Sequence, residues 1–478
     1  FQAEDGIRDL VRSRGLGDVY KRQLLNALAY ARFYQNKFLQ ELQEFLRIPS
    51  VSTQPDHQPD VERAAAWLCE QLSAAGFPRA DVMPTAGHPV VYAEWMGAGS
   101  DAPTVLIYGH YDVQPPDPMD EWKTPPFEPT IVGDDVFARG ASDDKGQMYV
   151  HVKAVEALAK TNGSLPVNVK CIFEGEEECG SPSLTPFVHE HIDLLDADVA
   201  LISDTHILGE DTPSIVYGLR GIVYVEVEVT GPDHDLHSGT YGGAVQNPIN
   251  ALCGMIAQLH DEDGRIAIPG FYDQVRDLSA EERQALAKAP FDRQSWLQES
   301  GVKTDWGEQG YTIVERASAR PTLDVNGMWG GYIQPGAKTV LPSRAFAKIS
   351  MRLVPDQDPE EIAQLAADYL KQIAPPTVSV KVRELHGGDG AIVRRDSPAM
   401  QAAFQAYTEV FGREPVFVRE GGSIPVVALF QQALDIETVL MGFGLPDDRL
   451  HSPNEKFHLP NFYRGIETSI RFMEVLGE

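Results

Sequence analysis

Two patterns of apolar positions alternate along the chain. In one, apolar residues gather in short, mostly apolar runs: Val90 to Trp95, Thr104 to Tyr108, Val167 to Phe173, Val199 to Ile202 and Thr438 to Met441. Runs of that length, closed by glycine, proline or polar residues, predict strands buried on both faces. Helical stretches lie between them, Gly146 to Lys160 for example, and the alternation predicts an α/β sheet with helices on both sides. Two helices are predicted ahead of the first strand. Residues 24–48 carry Leu39, Leu42, Phe45 and Leu46 on one face and stop before Pro49; residues 59–75 turn Trp67, Leu68 and Leu72 inward. In the second pattern, Ile222 to Val229 (IVYVEVEV) alternates strictly, Ala345 to Leu353 roughly, and Val378 to Val382 again. These predict half-exposed strands of an antiparallel sheet, with helices over 247–260 and 358–373. Residues 262–320 are polar and lean helical without a face that places them.

The second pattern sits inside the first. Residues 24–214 and 386–478 therefore form one α/β domain, and 215–385 an α+β domain inserted into it. Phe1 to Gln23 (FQAEDGIRDLVRSRGLGDVYKRQ) stands apart. It resembles translated sequencing-adapter sequence, lacks the basic start and apolar stretch of an export signal, and is set aside as a non-native leader.

Charge narrows the function. The chain has 40 basic and 70 acidic residues, a net charge of −30. So acidic a surface repels phosphate backbones and anionic lipid, which excludes nucleic acid and membrane as partners. No run of 18 apolar residues offers a spanning helix. The four cysteines, Cys69, Cys171, Cys179 and Cys253, form no C-x-x-C pair. That pattern is neither a disulfide framework nor a thiolate metal site, and it suits the reducing cytoplasm.

The buried strands end in residues that bind metals. Thr104 to Tyr108 runs into Gly109-His110-Tyr111-Asp112, Val167 to Phe173 into Glu174-Gly175-Glu176-Glu177-Glu178, and Val199 to Ile202 into Ser203-Asp204. Open α/β sheets build their sites at the carboxyl ends of the strands, so three strands deliver imidazole and carboxylates to one edge. The loop Arg139-Gly140-Ala141-Ser142-Asp143-Asp144-Lys145-Gly146 precedes a helix, and Arg449-Leu450-His451-Ser452-Pro453-Asn454-Glu455 follows the last strand. Two zinc ions need three protein ligands each beside an open position. One shared carboxylate lowers that demand to five residues, and His110, Asp143, Glu178, Asp204 and His451 are five. Taken singly, a Glu run is a solvated face and an Asp after a strand is a turn or cap; it is their coincidence at strand ends that carries the argument.

G-H-x-D, R-G-x-x-D-D-K-G, E-x-E-E-x-x-G-S, I-S-D and H-S-x-N-E-K, in this order, resemble the di-metal aminoacylase–carnosinase metallopeptidases, and most of all the cytosolic non-specific dipeptidase and carnosinase branch. The likeness spans nearly all of 24–478. It implies a zinc-peptidase-like αβα sandwich with an inserted ferredoxin-like lid and dimerisation domain. The activity it implies is hydrolysis of amide bonds in dipeptides and short peptides, with two divalent ions per subunit, zinc first and manganese as the alternative. By the same likeness, His110, Asp143 and Asp204 hold one ion, and Asp143, Glu178 and His451 the other. Glu177 is the general base, Asp112 orients His110, and a cis peptide follows Asp143. His237 reaches the partner's site in a homodimer and steadies the oxyanion there. Arg352 grips the substrate carboxylate, with Thr339, His386 and Ser423 as further substrate contacts. The competing readings are an N-acyl amino-acid deacylase or carboxypeptidase on the same site and, more remotely, a non-catalytic binding protein.

Overall fold

The computed structural model describes residues 24–478; the segment set aside as a leader, 1–23, lies outside them. The chain divides into two compact units. One runs to Tyr217 and adds Val393–Phe417 and Leu429–Glu478; the other comprises Gly218–Ile392 and Val418–Ala428.

The first unit is built on a mixed sheet. Six of its nine strands lie in the order Arg79–Met83, Val90–Trp95, Asn168–Glu174, Thr104–His110, Val199–Ile202, Glu437–Leu440. From Asn168–Glu174 through Glu437–Leu440 the pairing is parallel, and the first two strands make an antiparallel edge. All seven residues of Asn168–Glu174 are buried, the polar Asn168, Lys170 and Glu174 included, as expected of a strand covered on both faces. The helices Gln58–Ala75, Lys145–Asn162, Pro398–Phe411 and Leu459–Gly477 supply those layers. The helix expected over 24–48 is two pieces, 24–33 and Gln35–Leu46, with a kink at Tyr34 (φ −97°, ψ 13°). Bonds from Tyr34 N to Tyr30 O and from Phe38 N to Tyr34 O, both 3.0 Å, carry the ladder across it.

The second unit has strands Gly221–Thr230, Thr322–Gly330, Arg344–Leu353 and Ser379–Gly388, all antiparallel, with helices Pro248–Ile256 and Pro359–Ile373. The chain order is β-α-β-β-α-β and the spatial order is fourth, first, third, second, the ferredoxin-like arrangement. Burial alternates residue by residue along Gly221–Thr230. Val223, Val225, Val227 and Val229 pack with Leu252, Met255, Ile362 and Leu370 of the two helices.

Thr322–Gly330 gives no strand signal in the sequence. It carries a bulge between Val325 and Gly327 and shows no alternation of burial, so period-two reasoning has nothing to find. Residues 262–320 hold three short helices, Ala280–Leu286, Arg293–Ser300 and Ile313–Ser318, each started by a side-chain cap from Ser279, Asp292 or Thr312. Ion pairs tie the segment together: Arg283 to Glu315 at 2.6 Å, Arg316 to Asp305 at 2.7 Å, Arg320 to Glu308 at 2.8 Å. A segment held by caps and charges has no apolar stripe to read. The four cysteines are free, and among the described residues no helix is long and apolar enough to cross a membrane.

Candidate metal centre

Strand geometry gathers the first-unit residues. Thr104–His110 ends on His110 itself; Asn168–Glu174 leads through a bend into the 3-10 turn Glu177–Cys179; Val199–Ile202 is followed at once by Ser203 and Asp204. Asp143 comes from the loop before the helix Lys145–Asn162. That helix lies close against the strand, since a Cβ on Gly109 would stand 2.6 Å from Met148 Cβ and 2.7 Å from Asp144 Oδ2.

Two triads result: His110, Asp143 and Asp204, and Asp143, Glu178 and His451. In each, the potential ligand atoms all lie within 4.8 Å of one another. Asp143 belongs to both and faces them with different oxygens. Its Oδ1 is 3.1 Å from His110 Nε2, and its Oδ2 is 2.9 Å from His451 Nε2. Glu178 Oε2 is 3.1 Å from the same His451 nitrogen. His451 sits at φ +57° in its loop and is 56% exposed, whereas His110 is wholly buried. The cluster thus has one open side.

Neighbouring groups hold each member in place. Asp112 Oδ1 lies 3.4 Å from His110 Nδ1, and its two oxygens accept the backbone N–H groups of Glu177 (3.3 Å) and Glu178 (3.1 Å). His110 Nδ1 also meets the Asp112 carbonyl oxygen at 3.2 Å, so Asp112 steadies the imidazole while its carboxylate ties down the glutamate turn. Glu455, fully buried, clamps the Asp143 loop. Its Oε1 accepts from Ser142 N and Asp143 N (3.0 and 3.1 Å), and its Oε2 from Gly140 N and Arg139 Nη1 (2.9 and 2.8 Å). Gln147 donates to Ser142 O at 2.9 Å, and Gln114 donates to Glu178 Oε2 at 2.8 Å. His151 spans Ser203 Oγ (2.7 Å) and Ser469 Oγ (2.9 Å), bracing the residue before Asp204. The Asp143–Asp144 peptide is cis. Glu176, the third member of the glutamate run, turns away to accept from His88 N and Ser183 N, leaving Glu177 and Glu178 at the cluster.

Sequence reading missed Glu455, Gln147, Gln114 and His151. Glu455 stands in the same H-S-x-N-E-K stretch as His451, and Gln147 directly follows D-D-K-G. Nothing in their residue type separates a buried clamp from a surface polar group.

The electrostatics are those of an overcrowded anionic pit. Burial, and then Asp143 and Asp144, push Asp204 well above the carboxylate range. Burial also drives Glu177 up to about 8 against the pull of His110, with Glu178, Asp143 and Asp112 adding to the rise. Asp144 and Glu178 rise too, burial leading in both, and Asp144 Oδ1 is buried without a partner. Burial alone would lower His110, but hydrogen bonds to Asp112 and Asp143 hold it well above the usual imidazole range. Bonds to Asp143 and Glu178 lift His451 to about 11. Carboxylates packed this closely in a buried cluster call for positive charge. Imidazole nitrogen with carboxylate oxygen is also the donor chemistry that zinc and manganese accept.

The second-unit residues form two groups. His237 is exposed, its Nδ1 accepting from Gly239 N at 3.1 Å, and Ser238 N donates to Thr339 O at 3.1 Å. Arg352 Nη1 donates to Ser423 Oγ at 2.9 Å. Arg352 pairs across strands with Ile222, and His386 pairs with Tyr224, on whose ring it stacks at 5.2 Å and 7°.

A parallel sheet with buried carboxylates and imidazoles at its carboxyl edge, joined to a ferredoxin-like insertion, defines a metal-dependent hydrolase. Residues 106–475 match the model of peptidase family M20/M25/M40, and the chain belongs to that family. Among curated relatives it is 34% identical over 463 residues to the Cys-Gly metallodipeptidase DUG1 of Candida albicans, covering 92% of this chain and 95% of that protein. It is 33% identical over 462 residues to human Beta-Ala-His dipeptidase, covering 93% and 90%. Among solved structures it is similar to the M20 family metallo-carboxypeptidase Sso-CP2 from Sulfolobus solfataricus, with a TM-score of 0.83, 35% identity, and 92% and 99% coverage. The motif resemblance to the dipeptidase and carnosinase branch and the expected fold are both borne out.

Proposed function

We propose that this chain is a two-metal dipeptidase, and the observation that carries the reading is Asp143, which turns one carboxylate oxygen toward each of two donor triads. His110, Asp143 and Asp204 would hold one divalent ion and Asp143, Glu178 and His451 the other, with zinc preferred to manganese. When bound, the pair would supply Lewis-acid polarisation of the scissile carbonyl and acidify an attacking water.

The chain's own residues do the rest. Glu177 takes the proton of the attacking water and returns it to the leaving amine. Its position beside Glu178, on a turn whose N–H groups are tied to Asp112, keeps it at the reacting atoms without serving as a ligand. Asp112 holds the His110 ring in one orientation. Arg352, steadied by Ser423, binds the substrate's free carboxylate with its planar fork, which sets substrate length. His386 and Thr339 make lesser substrate contacts. In a homodimer, His237 donates to the developing oxyanion in the neighbouring subunit's site. The absence of thiol pairs agrees with a cytoplasmic setting.

A second reading, carboxypeptidase action on longer chains, is favoured by the likeness to Sso-CP2. A zinc- or manganese-restored preparation of residues 24–478, offered dipeptides, N-acetyl amino acids and a pentapeptide, separates the possibilities. Cleavage confined to dipeptides supports the proposal. Release of C-terminal residues from the pentapeptide establishes the second reading, and cleavage of acetylated amino acids alone makes the chain a deacylase.

A further inference from the structure

Arg220 lies at the point where the chain enters the second unit, and it is only 9% exposed. A buried guanidinium is ordinarily matched by a carboxylate. Here, among the described residues, no ion pair is formed. Its hydrogen bonds go to backbone carbonyls instead: Nε to Gly421 O at 3.0 Å, Nη1 to Arg320 O at 3.2 Å, and Nη1 to Arg316 O at 3.5 Å. Its own N–H bonds Gly422 O at 3.2 Å.

Those contacts pin the loop Gly421-Gly422-Ser423, and Ser423 accepts the hydrogen bond from Arg352. The packing admits no slack, because a Cβ at 421 would collide with the Ala317 carbonyl oxygen and the Arg220 guanidinium. Gly421 is therefore glycine because the Ala317 carbonyl oxygen and the Arg220 guanidinium fill the space a side chain would need.

The charge balance is as unusual as the packing. Burial, then the positive charge of Arg352, push Arg220 down to about 10, and Asp324 offsets only part of this. Arg352 is itself lowered by burial, again with Asp324 opposing. Arg220 thus feels the positive charge of Arg352, and Asp324, the anion that acts on both, forms a hydrogen bond or ion pair with neither within the described contacts. A pair of this kind is favourable only when an anion arrives.

We infer that Arg220 is a positioning residue for substrate binding: it fixes the Ser423 loop that orients Arg352 and supplies a second positive charge that the free carboxylate of the substrate neutralises. This rests on the dipeptidase reading, in which Arg352 binds that carboxylate. It adds that affinity for the carboxylate depends on a residue that never touches it, and that a substrate without a C-terminal charge gains nothing from the arrangement.

The test compares kcat/KM for a free dipeptide with that for its C-terminal amide, in metal-restored protein. In Arg220→Met the free-to-amide ratio falls by about 30-fold, the size expected when a buried charge partner is lost, and KM for the free dipeptide carries most of the change. Arg220→Lys keeps the charge, guards against a misfolded methionine variant, and retains most of the ratio. Equal losses on both substrates in the Met and Lys variants would make Arg220 a purely structural residue and overturn the inference, as would an unchanged ratio in both. Arg352→Met is the separate control. If the ratio survives in that variant, the carboxylate clamp itself is wrong; if it collapses there but not in Arg220→Met, only the role of Arg220 fails.

Discussion

The two units carry opposite imbalances of buried charge. In the first, Asp143, Asp144, Glu177, Glu178 and Asp204 converge with two imidazoles, and every one of these carboxyls except Asp143 is raised, burial leading in each. In the second, buried Arg220 and half-buried Arg352 form no ion pair with a carboxylate among the described residues, and Asp324 offsets their charge only in part. A folded protein keeps such surpluses only where something binds. The sign of each surplus fits the proposed reading: divalent cations at the first and a substrate carboxylate at the second. A dipeptide hydrolysed with metal supplies the second and requires the first.

The largest effects come from attacking the anionic cluster. Asp143→Asn removes the residue common to both triads and should abolish metal retention and activity together, read by metal analysis after gel filtration. Glu177→Gln separates the two properties. Metal content stays at the wild-type level while kcat falls by at least ~10²-fold, the usual contribution of a positioned proton carrier. Turnover within a few-fold of wild type in that variant would remove Glu177 from the mechanism.

Glu455→Gln is intermediate. It keeps the shape of the loop clamp but halves its capacity to accept from Ser142, Asp143, Gly140 and Arg139. Metal affinity should weaken by about 10–100-fold, as for other residues that orient ligands, measured by competition with a chelator.

Proton release sharpens the comparison. His451 sits near 11 and Glu177 near 8 without metal, and imidazole must be neutral to bind a cation. Metal binding at pH 7 should release protons, and apparent affinity should rise with pH. Calorimetry in two buffers of different ionisation enthalpy reads this directly.

The smallest effect lies outside both sites. Burial, and then Glu478 against the pull of Arg471, lift Glu474 to about 7. A carboxyl raised in the folded state stabilises below its ordinary value of 4.5 and loses that stability as pH climbs through about 7. Glu474→Gln should therefore melt higher than wild type at pH 8, by about 1 kcal/mol once solvent screening is allowed for, with the gap closing by pH 5.

Much of this architecture was legible because its signals are periodic. The buried runs at Val105, Val169 and Val199 became parallel strands, and the valines of Ile222 to Val229 became the core of the inserted sheet. Where structure rests on bulges, caps or ion pairs, as in Thr322–Gly330 and 262–320, no period exists to be read. The centre followed the same rule. Three donors at or after strand ends and two in loops could be collected by counting, and motif order then gave them roles. Glu455, Gln147 and Arg220 could not be found that way, because they bind backbone groups of loops distant in sequence, Gln147 accepting from Phe443 N and Gly444 N, and only the folded chain brings those together.

The account stands or falls on the stoichiometry of the metal centre. Metal-stripped protein comprising residues 24–478 should be titrated with zinc while dipeptide hydrolysis and zinc binding are followed together. Two tight equivalents per chain, with activity restored as they fill, is the predicted result. A single equivalent sufficing for full activity, or hydrolysis persisting in the stripped protein, would contradict the shared role of Asp143.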